Sequence, residues 1–431
     1  MHTLFIDMEN QRQGGFKKSF PKRSFGGNSG GSRPGIKGRF SNSSRGGRSS
    51  RSNPGERLDF SRFINKAIIT EEIEQFIPEH AFSDFLVDER LKKAIGHKGY
   101  ILPTPIQDRA IPHILKGVDV VGIANTGTGK TATFLIPLIN KVLLNKHEKI
   151  MVVVPTRELA IQINDELRGF TPTLRVFSTC CVGGMGIGKQ IADLKYNPSF
   201  VIGTPGRLKD LIERKKIMMS EFNTIVLDEA DRMLDMGFIN DMKYIMKMMP
   251  ENRHTLFFSA TLSREIEMLI NDFLRNPVRI SVKTQDTSKN VDQDVVRVSH
   301  GQDKIEILHD LLNDKEFNKV LIFGRTKHGV EELSKRLLQK GFKADSIHGN
   351  KNHSQRQKAL KSFKENNVQI LVATDVAARG LDIADVSHVI NYELPETYDD
   401  YVHRIGRTGR GNKKGKALTF IGGAAPTKRW K

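Results

Sequence analysis

From residue 99 onward the chain alternates short apolar runs with segments of helical periodicity, and this alternation is what most limits the folds open to it. Apolar runs of strand length separated by helices mark parallel strands covered on both faces and joined by helical crossovers. In the first half the expected strands are 119–124, 150–155, 200–204, 224–228 and 255–259. In the second half they are 295–299, 319–324, 368–374, 387–392 and 416–421. The polar stretch between the halves, SVKTQDTSKNVDQ (281–293), reads as a linker. A helix over 331–341 illustrates the crossovers: Leu333, Leu337 and Leu338 are expected on one face, with Gly341 as the stop. The economical reading is an α/β chain of two tandem lobes, each a doubly wound parallel sheet.

Charge is concentrated ahead of this pattern. Residues 11–55 hold eleven Lys/Arg, no Asp or Glu, eleven Gly and ten Ser, with Phe16, Phe20, Phe25 and Phe40 interleaved. Such a composition buries too little apolar surface to offset chain entropy, so a disordered basic tail is expected over 1–57. Residues 11–55 supply +11 of the formal +19, and the surplus points to a polyanionic partner. A stretch from about Leu58 to Lys98 reads as helical and amphipathic. The start MHTLFIDMEN lacks a basic segment followed by an apolar one, so no secretory signal is expected, and no apolar run approaches membrane-spanning length. The adjacent Cys180 and Cys181 form neither a disulfide framework nor a metal cage, and a reducing cytosol or nucleus fits.

Two segments carry chemistry. ANTGTGKT (124–131) lies between an expected strand and helix, the context of a phosphate-binding loop. There Thr126, Gly127, Thr128 and Gly129 offer backbone N–H groups to phosphate oxygens, Lys130 can reach the β- and γ-phosphates, and Thr131 can ligate Mg²⁺. Ala124 occupies the first Gly of the strict pattern, and a Gly-rich turn with a surface Lys is the competing account. NTIVLDEAD (223–231) is an apolar strand ending in acidic residues, at the edge where parallel sheets present ligands. Asp228 can hold Mg²⁺, and Glu229 can orient and deprotonate an attacking water. A third strand ends nearby in Ser259-Ala260-Thr261.

With these residues in order the chain resembles the DEAD-box RNA helicases, whose namesake tetrapeptide is Asp228-Glu229-Ala230-Asp231. The resemblance extends over about 82–421 and implies two RecA-like domains, ATP and Mg²⁺ as cofactors, and RNA (single strands and short duplexes) as partner. It implies that GYILPTPIQ (99–107) is the adenine-reading motif, with Gln107 pairing the base and Phe82, 17 positions upstream, stacking on it; Phe85 is the alternative ring. In HRIGRTGRG (403–411) it implies arginine fingers at Arg407 and Arg410, and His403 as a coupling residue together with Asp231, Ser259 and Thr261. Asp382 is implied to bind the ribose. The implied RNA contacts are Pro155, Thr156 and Arg157 (in PTRELA, 155–160), Gly183, Gly184, Thr204 and Arg207 in the first lobe. In the second lobe they are Arg325 with Thr326, Arg356 with Gln355, Thr374, Arg379 and Gly380. Backbone donors, hydroxyls and arginines of this kind grip phosphate and sugar and do not read bases.

The organisation that follows is a tail over 1–57, a helical flank over 58–98, a first lobe over 99–280, the linker 281–293, a second lobe over 294–424, and a short tail over 425–431. The ending APTKRWK leaves no room for a C-terminal specificity domain. A cytoplasmic enzyme with a monomeric core and no membrane partner is expected. Three functions compete: a helicase that parts short duplexes, an ATP-gated RNA clamp, and a binding module whose tail does the work. Lys130, Asp228, Glu229 and Arg407 argue against the third.

Overall fold

Thirteen strands among the described residues form two sheets, of seven and six strands, and every pairing is parallel. The computed structural model describes residues 64, 76–125, 127–282, 291–378, 383, 385–409 and 414–422. The first sheet contains β1 (Val120–Ile123), β2 (Ile150–Val153), β3 (Ser178–Cys181), β4 (Phe200–Gly203), β5 (Thr224–Leu227), β6 (His254–Ser259) and β7 (Val278–Ser281), in the order β3-β4-β2-β5-β6-β1-β7. The second contains β8 (Val291–Val298), β9 (Val320–Gly324), β10 (Ala344–Ile347), β11 (Ile370–Thr374), β12 (His388–Asn391) and β13 (Gly415–Gly422), in the order β10-β11-β9-β12-β13-β8.

Successive residues of a strand point to opposite faces, so a sheet covered twice needs apolar residues at consecutive positions. Strand β2 shows this. Ile150 and Val152 join the core on one face, and Met151 and Val153 join the core on the other. Phe258 and Phe257 of β6 divide the same way. The second lobe repeats the arrangement, with Leu321 and Phe323 of β9 on one face and Val320 and Ile322 on the other.

Central strands fall within a residue or two of their expected bounds. The three strands not anticipated, β3, β7 and β10, are all sheet edges, and the edge strand β8 begins at Val291, inside the expected linker. Two expectations need correction. The helix expected over 331–341 runs Lys327–Gln339, and Leu338 is 52% exposed while Leu333 and Leu337 are buried. Leu337 lies one turn beyond Leu333, whereas Leu338 is a further 100° round the axis. Gly341 ends the helix with φ of +92°. In the flank expected to be helical, only Glu89–His97 is helical among the described residues. Residues 76–88 are irregular, and their backbone is fastened to the first lobe by Asp108, which accepts from the N–H groups of Glu79 and His80 and from His80 Nδ1.

Candidate active site and RNA groove

Strand order sorts the motifs of the first lobe. The phosphate loop, Ser259-Ala260-Thr261 and the acidic tetrapeptide follow β1, β6 and β5, three neighbouring strands. PTRELA, TPGR and Gly183-Gly184 follow β2, β4 and β3, the other three neighbours. One carboxyl edge therefore carries two adjacent sites.

In the first site the helix Lys130–Leu144 starts at Gly129, whose φ of +91° is natural only to glycine. A Cβ there would also come within 2.5 Å of Gln107 Nε2. Gln107 itself is buried; its Nε2 donates to the Gly129 carbonyl at 3.1 Å and its Oε1 accepts from Thr104 N–H at 2.9 Å. The Thr104 hydroxyl donates to the Thr128 carbonyl at 2.8 Å. Motif 99–107 is thus bonded to the phosphate loop, and each polar atom of the Gln107 amide retains a second hydrogen-bonding valence suited to an adenine edge. Phe82 and Phe85 are both core residues here. Phe82 packs edge-on to Phe85 (5.8 Å) and Tyr100 (5.6 Å) and is 5% exposed, so stacking on a base requires its ring to turn out of that cluster.

The acidic end of β5 is buried. Asp228 accepts from Glu229 N–H at 2.9 Å, and burial pushes its carboxyl up to about 6, Lys130 opposing and Glu229 reinforcing the rise. Lys130 Nζ donates to the Ala124 carbonyl at 2.7 Å. Glu229 lies in the left-handed region (φ +53°) at the head of the helix Ala230–Asp235, and its Oε2 accepts from Arg232 Nη1 at 3.0 Å. Asp231 Oδ2 accepts from Ala260 N–H, Thr261 N–H and the Thr261 hydroxyl at 3.0, 3.0 and 3.2 Å, while the Ser259 hydroxyl donates to the Thr261 carbonyl. Three expected coupling residues, Asp231, Ser259 and Thr261, thus form one cluster.

In the second site Arg157 lies over Gly183-Gly184 so closely that a Cβ on Gly184 would stand 1.9 Å from its Nη1. Arg207 Nη1 donates to the Met185 carbonyl (3.2 Å) and Gln190 Oε1 (3.1 Å). Thr156 caps the helix Arg157–Phe170, Pro155 is buried just ahead of it, and Thr204 N–H donates to Cys181 O beneath the edge. The second lobe enters through Arg356, which forms an ion pair with buried Glu158 at 2.7 Å. Burial, then Arg356, then Arg207 lower the pKa of Arg157, with Glu158 opposing. That ordering records how closely these cations crowd one another.

Elsewhere in the second lobe Arg325 is exposed at the end of β9, with its Nε 3.6 Å from Glu396, and Thr326 caps the helix Lys327–Gln339. Thr374 is buried at the end of β11. Arg407 is buried too, beside His403 in a small cavity that Asp375, Asp400 and Arg404 also line. Arg404 donates to Asp375 from Nε (2.6 Å) and Nη2 (2.7 Å), and from Nη1 to Asn391 and the Glu393 carbonyl. Removing Asp375 would leave the buried Arg404 charge without its partner, a far larger loss than that of an exposed helix pair such as Arg336–Glu332. Arg404 therefore sets the backbone that presents Arg407. Thr126, Arg379, Gly380, Asp382 and Arg410, and the tail over 1–57, lie outside the described residues.

Residues 104–269 match the DEAD/DEAH box helicase family, and residues 303–412 match the helicase conserved C-terminal domain. The chain is 45% identical over 342 residues to the ATP-dependent RNA helicase CshA of Limosilactobacillus reuteri, covering 79% of this chain and 69% of that one. Against CshA of Listeria monocytogenes it is 44% identical, covering 79% and 66%; the chain spans about two thirds of these relatives' length. It belongs to the DEAD-box ATP-dependent RNA helicases. Among solved structures, Mss116p bound to single-stranded RNA and AMP-PNP superposes with a TM-score of 0.72 at 30% identity, covering 80% of this chain and 75% of that one. S. cerevisiae Dbp5 bound to RNA and ADP BeF3 gives 0.71 at 28%, covering 80% and 90%. The two parallel sheets are therefore the RecA-like pair of a DEAD-box enzyme that uses ATP and binds RNA.

For a DEAD-box protein the residues passed over in the sequence are the supports beneath the motifs. Arg404 lies within HRIGRTGRG and Asp375 directly follows Thr374, yet nothing in their spacing marks them as partners. Arg232 directly follows the tetrapeptide, three residues after Glu229, a spacing that shares a helix face and could have flagged the pair. No group of three or more His, Cys, Asp or Glu suited to a metal occurs among the described residues. Mg²⁺ beside a nucleotide does not need one, because phosphates and waters supply most of its ligands. Asp228, a carboxylate pushed up to about 6 by burial, and Thr131, in the first turn of the helix that follows the phosphate loop, are the residues that would hold that ion.

Proposed function

We propose that the chain couples RNA-stimulated ATP hydrolysis to closure of its lobes and local separation of RNA strands. The observation that carries this reading is the ion pair of Arg356, from the second lobe, with buried Glu158 of the first, with Arg157 close to both and Arg207 beside Arg157. That ion pair is not aligned as a hydrogen bond, and the buried Nε of Arg356 has no hydrogen-bond partner among the described residues. A phosphate oxygen would satisfy both the crowded cations and the vacant donor. RNA bound there bridges the lobes.

On this reading Lys130 and the loop N–H groups hold the triphosphate, and Gln107 with Phe82 discriminates the base. Asp228 and Thr131 would hold Mg²⁺, which when bound would offset phosphate charge. Glu229 takes a proton from the attacking water as its oxygen bonds to the γ-phosphorus, and the bond to the bridging oxygen breaks with its electrons leaving on ADP. Arg407 and Arg410 meet the spreading phosphoryl charge from the second lobe. Asp231, bonded to Ser259-Ala260-Thr261, ties the acidic strand end to the neighbouring strand, and His403 carries the link to the second lobe. Since catalysis and the RNA groove both need closure, RNA favours ATP binding and ATP favours RNA binding by the same factor. The core acts as a monomer in the cytoplasm. Among the described residues no helix is long and apolar enough to cross a membrane.

ATPase rates measured without nucleic acid and with single-stranded RNA, duplex RNA and DNA test this, paired with strand displacement. RNA-specific stimulation with displacement of short duplexes is expected. Stimulation and tight RNA retention without displacement would make the enzyme an ATP-gated clamp, and equal stimulation by DNA would overturn the RNA reading.

A further inference from the structure

The tetrapeptide after β5 brings three carboxylates into the protein interior within four residues, and each has different support. Asp231 is held by three donors from the end of β6. Asp228 has the N–H of Glu229 and the nearby charge of Lys130. Glu229 has Arg232. This pair is no surface decoration: the guanidinium is 3% exposed and the carboxylate 7%, whereas Arg336–Glu332 of the second lobe stands at 53% and 61%.

Two features give the contact a purpose beyond neutralising charge. First, Glu229 is a non-glycine residue in the left-handed region, where the chain leaves β5 for the helix Ala230–Asp235. The alternation of the strand no longer dictates where its side chain points, and the backbone conformation is costly to hold. Second, the contact is one-sided, from Nη1 to Oε2 at 3.0 Å. Arginine often engages both oxygens of a carboxylate, as Arg404 does with Asp375. A single bond tethers one oxygen and leaves the second outside the contact. An apolar side chain would bury at this site without a charge to pair, as Met233 does next to it.

We propose that Arg232 is a positioning residue for hydrolysis: by anchoring Oε2 of Glu229 it turns Oε1 toward the attacking water. The inference rests on the reading of Glu229 as general base. Arg232 is buried against Glu229 and is not among the groups proposed to hold nucleotide or RNA, so its loss should act on turnover alone. A base displaced by about 1 Å costs up to roughly 100-fold in rate.

The test measures steady-state ATPase of the full chain with saturating RNA, nucleotide and RNA affinities, and thermal unfolding. It uses R232M, R232Q, R232K, E229Q and the double variant E229Q/R232M. R232M is expected to lower kcat by roughly 10- to 100-fold with KM for ATP and RNA affinity unchanged. R232K should recover part of the rate, because an ammonium on a flexible stem can still reach Oε2. E229Q/R232M should be no slower than E229Q, since a base that is absent cannot be mispositioned. If R232M does not fold, the polar, uncharged R232Q, too short to reach Oε2 as arginine does, carries the same expectations. Wild-type kcat in R232M or R232Q, beside an inactive E229Q, overturns the role of Arg232 and leaves the base reading intact. Parallel losses of kcat, affinity and melting temperature without rescue by lysine overturn it in favour of a structural ion pair. Near-normal turnover by E229Q removes Glu229 as the base, and the inference with it.

Discussion

The two lobes share a parallel sheet but divide the work at their carboxyl edges. In the first lobe β1, β6 and β5 end in nucleotide chemistry, and β2, β4 and β3 end in groups that suit RNA. In the second, β8 holds the sheet position of β1 but is followed by Ser299-His300-Gly301 and no phosphate loop, β9 holds that of β2 and ends in Arg325-Thr326, and the helix Tyr398–Ile405 leads to Arg407. The difference teaches that a repeated fold need not repeat a site. On the proposed function, the lobe without a phosphate loop completes the other's site with arginines carried on a rigid support. Arg404, bonded to Asp375, Asn391 and the Glu393 carbonyl, is that support.

The comparison breaks most visibly at Arg407. If the second lobe supplies charge only in the reacting state, Arg407→Ala should cut kcat by about 10³–10⁵-fold. Nucleotide affinity of the RNA-free protein should be nearly untouched. Single-turnover rates at saturating ATP and RNA, set against nucleotide titrations, decide this. A loss confined to ground-state binding would place Arg407 with the phosphate loop in function and erase the contrast between lobes.

Next in size is Glu229→Gln, expected to slow hydrolysis by about 10²–10⁴-fold while ATP and RNA still bind, because the phosphate and RNA contacts lie elsewhere. Lys130→Ala should instead weaken nucleotide binding itself. The two variants sharpen the contrast within the first lobe, between holding the nucleotide and cleaving it, and binding titrations beside ATPase rates separate them.

The contrast between adjacent halves of the first lobe can be tested at Gly184. Alanine there is strained twice, by φ of +74° and by a Cβ 1.9 Å from Arg157 Nη1. The guanidinium must move, so Gly184→Ala should weaken RNA binding by roughly tenfold, the loss of one or two charge-assisted hydrogen bonds. ATP affinity without RNA should hold. If both affinities fell together, the halves of the edge would not be independent.

How much of this could be read from the chain follows the same geography. Central strands such as β2 and β5 are buried on both faces and read as unbroken apolar runs. The edge strands β3, β7 and β10 have exposed or half-exposed positions, and those are the three that periodicity passed over. Motifs were legible because their chemistry needs particular residue types at particular spacings. Their supports were not. The fork from Arg404 to Asp375 spans 29 residues, and the bond from Gln107 to the phosphate loop depends on how two helices meet. Such partners are products of packing, and no local pattern encodes them.

The smallest effect on chemistry is expected from the tail. Residues 11–55 carry eleven positive charges and no negative ones, yet every group proposed to touch ATP lies beyond residue 81. Deleting residues 1–55 should therefore leave kcat at saturating RNA nearly unchanged. What should change is the RNA concentration needed to reach it. Each phosphate that a lysine or arginine neutralises contributes about −0.7 to the log–log salt slope on a single strand. A tail that engages RNA thus steepens the salt dependence of binding, and Phe16, Phe20, Phe25 and Phe40 can add stacking on unpaired bases. RNA affinity measured across a salt series, with and without the tail, reads this directly. A shallower slope after deletion assigns the tail to RNA capture and the two lobes to chemistry. Equal slopes would show that these charges never meet the strand, and the whole salt dependence would then belong to the cations of the two lobes.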